Sequence, residues 1–591
     1  GFNLDHGTDF SVRVGGMPVN MPTHGHGQGY ADVNFLIPEL VERAHYRKGP
    51  YRASVGDFSS AGSVDFDLVR ALPRGIAHAT LGSFDYQRVL LADTLGVAGG
   101  QLTGALEYFH DDGPWDRPDD YERWNGFLAY SRGDNFRGWS IQALGSDGEW
   151  LASDQIPRRA VDEGLIGRYG LLDPGPRGES ARYSLSAETH FGDARSLTRF
   201  GAHAITYDFR LVSNFTYFLS DPVLGDQFEQ ADERFILGAT ASHTFQHHVG
   251  QLHAETTLGA QLRYDDISNG LYPTSELERT GVVREDEVGQ TGLGFHGDTW
   301  LRFSEALRVN LGLRLDYYGA DVEAVSLPVN SGTADAWMLN PKLSVVYRPA
   351  SFAEVSLNAG TGFHSNDARG ATIRVDPVTG EPVAPVDPLV RARGVDLGVR
   401  TFTAGGYHGT LSGFWLDLDS ELLFVGDGGT TEASRPSRRV GVEWTNFWRV
   451  SPKLGLDLDL TWTDARFTDD DPAGRSIPGA IETTVAAGVT VEDLGKWFGA
   501  LRLRYFSGGP LIEDASVTWG PTALLSGRIG YDLTDRLQVV VDGFNLLGRK
   551  DDDIAYFYAS RLEGEPLEGI EDVHFHPVVR PSVRAALVWR F

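Results

Sequence analysis

Leu311, Leu313 and Leu315 alternate with Asn310, Gly312, Arg314 and Asp316 along the stretch NLGLRLDY. Successive side chains of a strand point to opposite faces, so this segment predicts a strand with one aliphatic face and one face of charge and glycine. The same period returns at LGLDLDLTW, where Leu454, Leu456, Leu458, Leu460 and Trp462 alternate with Gly455, Asp457, Asp459 and Thr461. From about Ile76 to Phe591 the chain repeats one unit, an alternating segment of about ten residues followed by a Gly, Asp, Asn or Pro cluster. GQLTGALEYF, RFILGATASHTF, GTLSGFWLDLD and SVRAALVWRF all have this form.

The connections fall into two sizes. SRGDN, FGDARS and DLTDRL read as tight turns, whereas HDDGPWDRPDDYERWN, LYPTSELERTGVVREDEVGQ and RVDPVTGEPVAPVDPLVRAR read as long loops. Short turns on one rim and long loops on the other are the habit of a membrane β-barrel, and about 22 strands would allot roughly 23 residues to each strand and its connection. A soluble sandwich would share the alternation; a propeller would need a fixed repeat of about 40 residues, which the chain lacks. In the last segment Val583, Ala585, Leu587, Trp589 and Phe591 share one face, and aromatic residues gather at segment ends in WLRF, YFYA and LVWRF, as rim girdles would. The aliphatic faces are therefore expected to meet lipid. Residues 1–75 have a different texture, with short apolar runs and Gly and Pro punctuation; NFLIPELVERAHYRKG, interrupted by Pro38, fits one short helix or a strand.

Composition narrows the function. The hydrophobic fraction, 41% of 591 residues, is spread evenly, and no window reaches the ~18 apolar residues of a helical span. Cysteine is absent, which removes thiol catalysis and cysteine-held metal centres. A formal charge of −29 argues against nucleic acid as a partner. Walker A, His-Glu-x-x-His and Gly-x-Ser-x-Gly signatures are all missing, so neither an enzyme nor a cofactor is expected.

The N-terminal region carries four elements in order, Val41-Glu42-Arg43, Arg47-Lys48-Gly49-Pro50, Val55-Gly56 and Ala61-Gly62-Ser63-Val64, and GTGFHSNDARG, VDGFNLLGRKDDD and the terminal LVWRF follow further along the chain. In this order they resemble the plug domain and barrel of TonB-dependent outer-membrane receptors. The resemblance implies an all-β membrane protein, a barrel of ~22 antiparallel strands (residues 76–591) around a small N-terminal α/β plug (residues 1–75). It also implies a Gram-negative outer-membrane location, lipid and lipopolysaccharide around the barrel, a TonB-type inner-membrane complex as partner, and a terminal Phe591 read by the barrel-assembly machinery. The family's Ton box and upstream plug half precede the region where this chain begins, so energy coupling is implied by the resemblance and not by residues present here.

Candidate chemistry follows the same frame. The loop MPTHGHGQGYADVNF is expected at the outward apex of the plug, with His24, His26, Gln28 and Tyr30 touching ligand; two imidazoles also suit Cu, Ni or Zn, or a chelate's oxygens. Asn366, Asp367 and Arg369 would contact ligand or plug, or order a rim turn. Glu42, Arg43 and Arg47 are expected to pair with lumen carboxylates. HTFQHHVGQLH reads as a solvated hairpin turn and His574/His576 as structural histidines, and TDDDP and KDDDI as solvated loop ends. The function expected is energy-coupled uptake of a scarce small-molecule ligand, a siderophore or other metal chelate first. The alternatives are a passive porin-like channel and a barrel scaffold that docks partner proteins.

Overall fold

The computed structural model describes residues 9–403, 405–424, 431–433 and 435–591. Twenty-two strands close into one barrel. The first, Ile76–Gly82, pairs antiparallel with the last, Ser582–Arg590, from Ile76↔Arg590 to Gly82↔Arg584. Closure matters because a strand edge left open in hydrocarbon would strand its N–H and C=O groups without water. The alternation sorts as lipid requires: Leu313 is 49% exposed on the outer face while Arg314 is 4% exposed inside. Val583, Leu587, Trp589 and Phe591 likewise lie exposed on the outer face, and Phe591 exchanges both backbone hydrogen bonds with Gly75.

One rim carries tight turns such as Ala98-Gly99, where both residues have positive φ (50° and 76°), the geometry that suits the twist of a two-residue hairpin. The other rim carries the long connections, with one correction. LYPTSELERTGVVREDEVGQ is mostly strand: Leu252–Ser275 and Arg284–Arg302 extend far beyond the membrane, and Glu278–Arg279 folds back onto Thr274 and Ser275. Outward-facing polar residues such as Asp266, Ser268 and Glu287 keep the ladder there because the strand has left lipid and needs no apolar face.

The long loops do not stand free. Ile156–Pro157, Asp552–Ser560 and Ile570–Pro577 form a separate three-stranded sheet outside the barrel. Ile156, Ile481, Leu511, Trp519, Ala555 and Phe575 from several loops pack into one small core beneath it. YFYA thus belongs to this cap and not to an aromatic girdle. His574 is buried there, stacked on Tyr558 at 3.8 Å with Nε2 2.7 Å from the Ser560 hydroxyl. The acidic runs are also not merely solvated: Asp552 pairs with Arg158 and Arg168, and Asp469 with Arg435.

Inside the barrel lies the plug, a sheet of β1 (Phe10–Val14), β2 (Met17–Pro18), β3 (Val41–Lys48) and β4 (Gly62–Leu68) in the order β2-β1-β4-β3. Pro38 opens a single 3₁₀ turn, Pro38–Leu40, that runs straight into β3; proline lacks the N–H that a longer helix would need but is at home in its first turn. Val14, Met17, Val19, Phe35, Ile37 and Leu40 pack on inward-facing wall residues including Leu90, Phe127, Leu144, Ile205 and Ile236. One flank of the plug is therefore held by apolar burial, and the polar contacts described next hold its apex.

Candidate functional site

The apex loop runs from Val19 to Ile37 between β2 and the 3₁₀ turn and is pinched by the backbone pair Met21 N–H to Tyr30 C=O, 2.9 Å. Gly25 is required there: a Cβ at this position would lie 2.6 Å from the Ala231 carbonyl oxygen, so only glycine lets the loop approach the wall. Its N–H donates to Asp232 Oδ2 at 2.8 Å. Asp232 also accepts from Arg234 Nε (2.7 Å) and Asn269 (2.5 Å), and Arg234 reaches the Thr23 carbonyl at 2.7 Å.

His24 is wholly buried. It stacks on Tyr30 at 4.3 Å, its Nδ1 accepts from the His26 N–H at 3.0 Å, and its Nε2 lies 3.3 Å from the Tyr207 hydroxyl. With Nδ1 accepting, Nε2 carries the proton, and both nitrogens are committed to the protein and not to a metal ion. His26 Nδ1 donates to Gln230 Oε1 at 2.7 Å.

From the wall comes the segment His364–Arg369, where the strand Ala353–Ser365 gives way to the short helix Ala368–Thr372. Gln28 Nε2 donates to the Ser365 carbonyl (2.9 Å) and Asn366 Oδ1 (3.1 Å), while Gln28 Oε1 accepts from Asp367 N–H (3.0 Å). The Ala368 N–H donates to Thr23 Oγ1 at 2.9 Å, and Arg369 Nη2 donates to the His24 carbonyl at 2.7 Å. Asp367 caps the helix through Arg369 N–H and takes the Arg369 guanidinium as its counter-ion. Asp9 and Asp57, from two other plug segments, meet His364 (3.2 Å) and the Ser365 N–H (2.7 Å).

The structure thus brings His24, Gln28, Asn366, Asp367 and Arg369 into one buried polar lock between plug and wall. It leaves only His26 and Tyr30 half-buried. Tyr30 lines a vestibule of about 240 Å³ with Asp32 of the plug and Asp119, Tyr121, Arg123 and Trp150 of the wall. Burial pushes the Asp119 carboxyl up to about 7, against the hydrogen bonds it receives from Trp115 and Ser153. These wall residues were not singled out by sequence reasoning; the stretch HDDGPWDRPDDYERWN marked only a long loop.

The charge contacts between plug and wall need correcting. Glu42 and Arg43 are exposed on β3, and Arg47 pairs with Asp65 of β4, inside the plug. The reason is register: β4 presents Asp65 and Asp67 beside β3, and they take Arg47 and His45 before any lumen carboxylate can. Ion pairs to the wall among the described residues run through Glu39, held by Arg88 at 2.7 Å and His78 at 3.0 Å, through Lys48 to Glu443, and through Asp9 to His364. Lys342 and Arg314 add bonds to the Pro50 and Ala53 carbonyls.

A family model described as TonB dependent receptor-like, beta-barrel, matches residues 107–546. No curated protein matches the sequence. Among solved structures, the unliganded ferric citrate transporter FecA superposes with a TM-score of 0.79 at 14% identity, covering 100% of this chain and 89% of that one. The closed form of the ferric-catecholate import receptor Fiu from E. coli K12 gives 0.78 at 14% identity, over 99% of this chain and 90% of that one. The ferric yersiniabactin uptake receptor FyuA from Yersinia pestis gives 0.77 at 14% identity, over 99% and 89%. At such identity these likenesses speak for the fold, and the family match spans well over half the chain. It follows that the chain belongs to the TonB-dependent receptor family and is an outer-membrane receptor rather than an enzyme.

Proposed function

We propose that this receptor captures a scarce ligand in the outer vestibule and passes it inward when a TonB-type inner-membrane complex does work on the plug. The ligand proposed is a siderophore or another metal chelate. The observation that carries the reading is the shared lining of the vestibule, Tyr30 and Asp32 from the plug and Tyr121, Arg123 and Trp150 from the wall, directly beside the buried lock. A ligand seated there touches both bodies, so its binding free energy can differ between a seated and a displaced plug, which is the condition for it to shift that equilibrium. A barrel has no energy source of its own, so uptake against a gradient needs external work.

The ligand class is supported by FecA, Fiu and FyuA, each by name a carrier of a ferric chelate. A passive channel is disfavoured by the apolar and polar contacts that hold the plug across the lumen. Phe591, 37% exposed on the outer face, is available to the barrel-assembly machinery.

A deletion strain screened for growth and uptake across ferric chelates, cobalamin and glycans tests the class, with tryptophan quenching of the purified protein giving the Kd. A ferric chelate is expected to depend on the receptor, and Trp150→Ala to raise its Kd at least tenfold while the barrel keeps its heat-stable fold. Dependence on cobalamin or a glycan alone would overturn the chelate assignment. An unchanged Kd in Trp150→Ala would remove the vestibule.

A further inference from the structure

His110 stands near the outer end of the strand Gly100–Asp111, two residues beyond Tyr108 and on the same face. That face is the outer one: Leu106, next in the series, is exposed to lipid, and Tyr108 packs at 4.8 Å on the exposed Trp124 of the neighbouring strand. His110 is therefore placed about 5 Å above an aromatic girdle, once the tilt of the strand is allowed for, at the height of the headgroup layer. Its neighbour Asp111 faces inward, toward Arg584.

Three carboxylates converge on this imidazole. Asp112 Oδ1 lies 3.4 Å and Asp85 Oδ2 3.6 Å from Nε2, and Asp120 Oδ1 lies 3.9 Å from Nδ1. Among the described residues no lysine or arginine pairs with Asp85, Asp112 or Asp120, and none of the three contacts has hydrogen-bond geometry. The His110 side chain is nevertheless only 12% exposed. An imidazole so buried, aimed at carboxylates yet bonded to none, has the spacing of donors that share an ion: ligand atoms about 2.1 Å from one tetrahedral metal lie about 3.4 Å from one another.

The outer shell fits as well. Gln87 donates to Asp85 Oδ1 at 3.0 Å, which turns Oδ2 toward His110. Asp120 Oδ1, 3.9 Å from Nδ1, adds a further negative charge on the other side of the ring. The Asp112 N–H bonded to the Phe84 carbonyl at 2.9 Å ties the two ligand-bearing turns together.

We propose that His110, Asp85 and Asp112 form a divalent metal site of the Zn²⁺ class on the outer rim of the barrel, apart from the route of the cargo. The imidazole selects a borderline metal over Ca²⁺ or Mg²⁺, which prefer oxygen donors alone. Three protein ligands leave one coordination position open toward the headgroup layer. The ion would offset the mutual repulsion of Asp85, Asp112 and Asp120 and pin the 83–86 turn to the 112–120 loop.

The test is Zn²⁺ competition against a chromophoric chelator, with the full chain in detergent and any affinity tag removed. One equivalent is expected to bind, His110→Ala and Asp112→Asn should each weaken it at least a hundredfold, and His248→Ala, at a turn on the opposite rim, should leave it unchanged. Heat-modifiable migration on gels reports that each variant keeps its barrel. Absence of competition by the wild type, or equal Zn²⁺ affinity in His110→Ala, would overturn the proposal.

Discussion

Arg369 donates its Nη2 to the carbonyl oxygen of His24 across 2.7 Å, and the same guanidinium holds Asp367 through Nε and Nη2. A single wall side chain therefore ties the plug backbone to the residue that caps the wall's own short helix. The contact is buried, hence strong, and non-covalent, hence able to part.

Arg369→Ala should loosen the apex without unfolding the barrel. Removing one member of a buried pair leaves Asp367 without its hydrogen-bonded counter-ion and typically costs about 3–5 kcal/mol. Hydrogen exchange in residues 19–30 should accelerate by orders of magnitude while barrel strand amides stay protected. Unchanged exchange in that loop would show that the lock does not hold the plug.

Leu313 and Arg314 are neighbours with different duties. Leu313→Arg places charge in lipid, at about 2–4 kcal/mol near the bilayer midplane, and should lower the yield of heat-modifiable barrel. Sequence alone suggests that Arg314→Leu impairs assembly less than Leu313→Arg because a lumen is wet, but Arg314 is buried, paired with Asp316 and bonded to the Ala53 carbonyl. Arg314→Leu should therefore assemble normally and release the plug more readily to protease. Equal assembly defects in both variants would contradict the face assignment.

The contrast shows what could be read early. Period-two alternation exposes a strand's two faces directly, so the repeated barrel strands and their lipid face were legible, while the plug and the place of its apex loop followed from the family resemblance. Pairing across elements was not: whether Arg47 meets a lumen acid or Asp65 depends on register between β3 and β4, which no single segment encodes. Whether the histidines of a Gly-rich loop face solvent or wall was equally hidden, and His24 proves to be wholly enclosed. The vestibule joins residues 30–32 to residues 119–150, a distance along the chain that only the closed barrel removes.

The outer cap should answer to pH through opposing groups. Burial pushes the Asp154 carboxyl up to about 7, so its favourable contribution is present below the unfolded value near 3.8 and is lost as pH rises to about 7. Burial pushes His574 and His576 down to about 4, so each imidazole favours the unfolded cap below that value and ceases to do so above 6.5. Between pH 4 and 6.5 the two imidazoles outweigh the single carboxyl, so protection in the wild type rises with pH but at a reduced slope. Asp154→Asn removes the opposing arm, and hydrogen exchange across residues 552–577 should then show protection rising more steeply with pH over that window. A profile identical to wild type would mean that Asp154 is not buried as described.

Single-channel conductance of the unmodified protein in planar bilayers addresses the gated-receptor assignment most directly. With the lumen filled by a plug held at Arg369, Lys342, Glu39 and Lys48, the expected result is no steady open current, and a large one only after the plug is released by denaturant or by Arg369→Ala. A large, steady current from the unmodified protein would contradict closure and favour a passive channel.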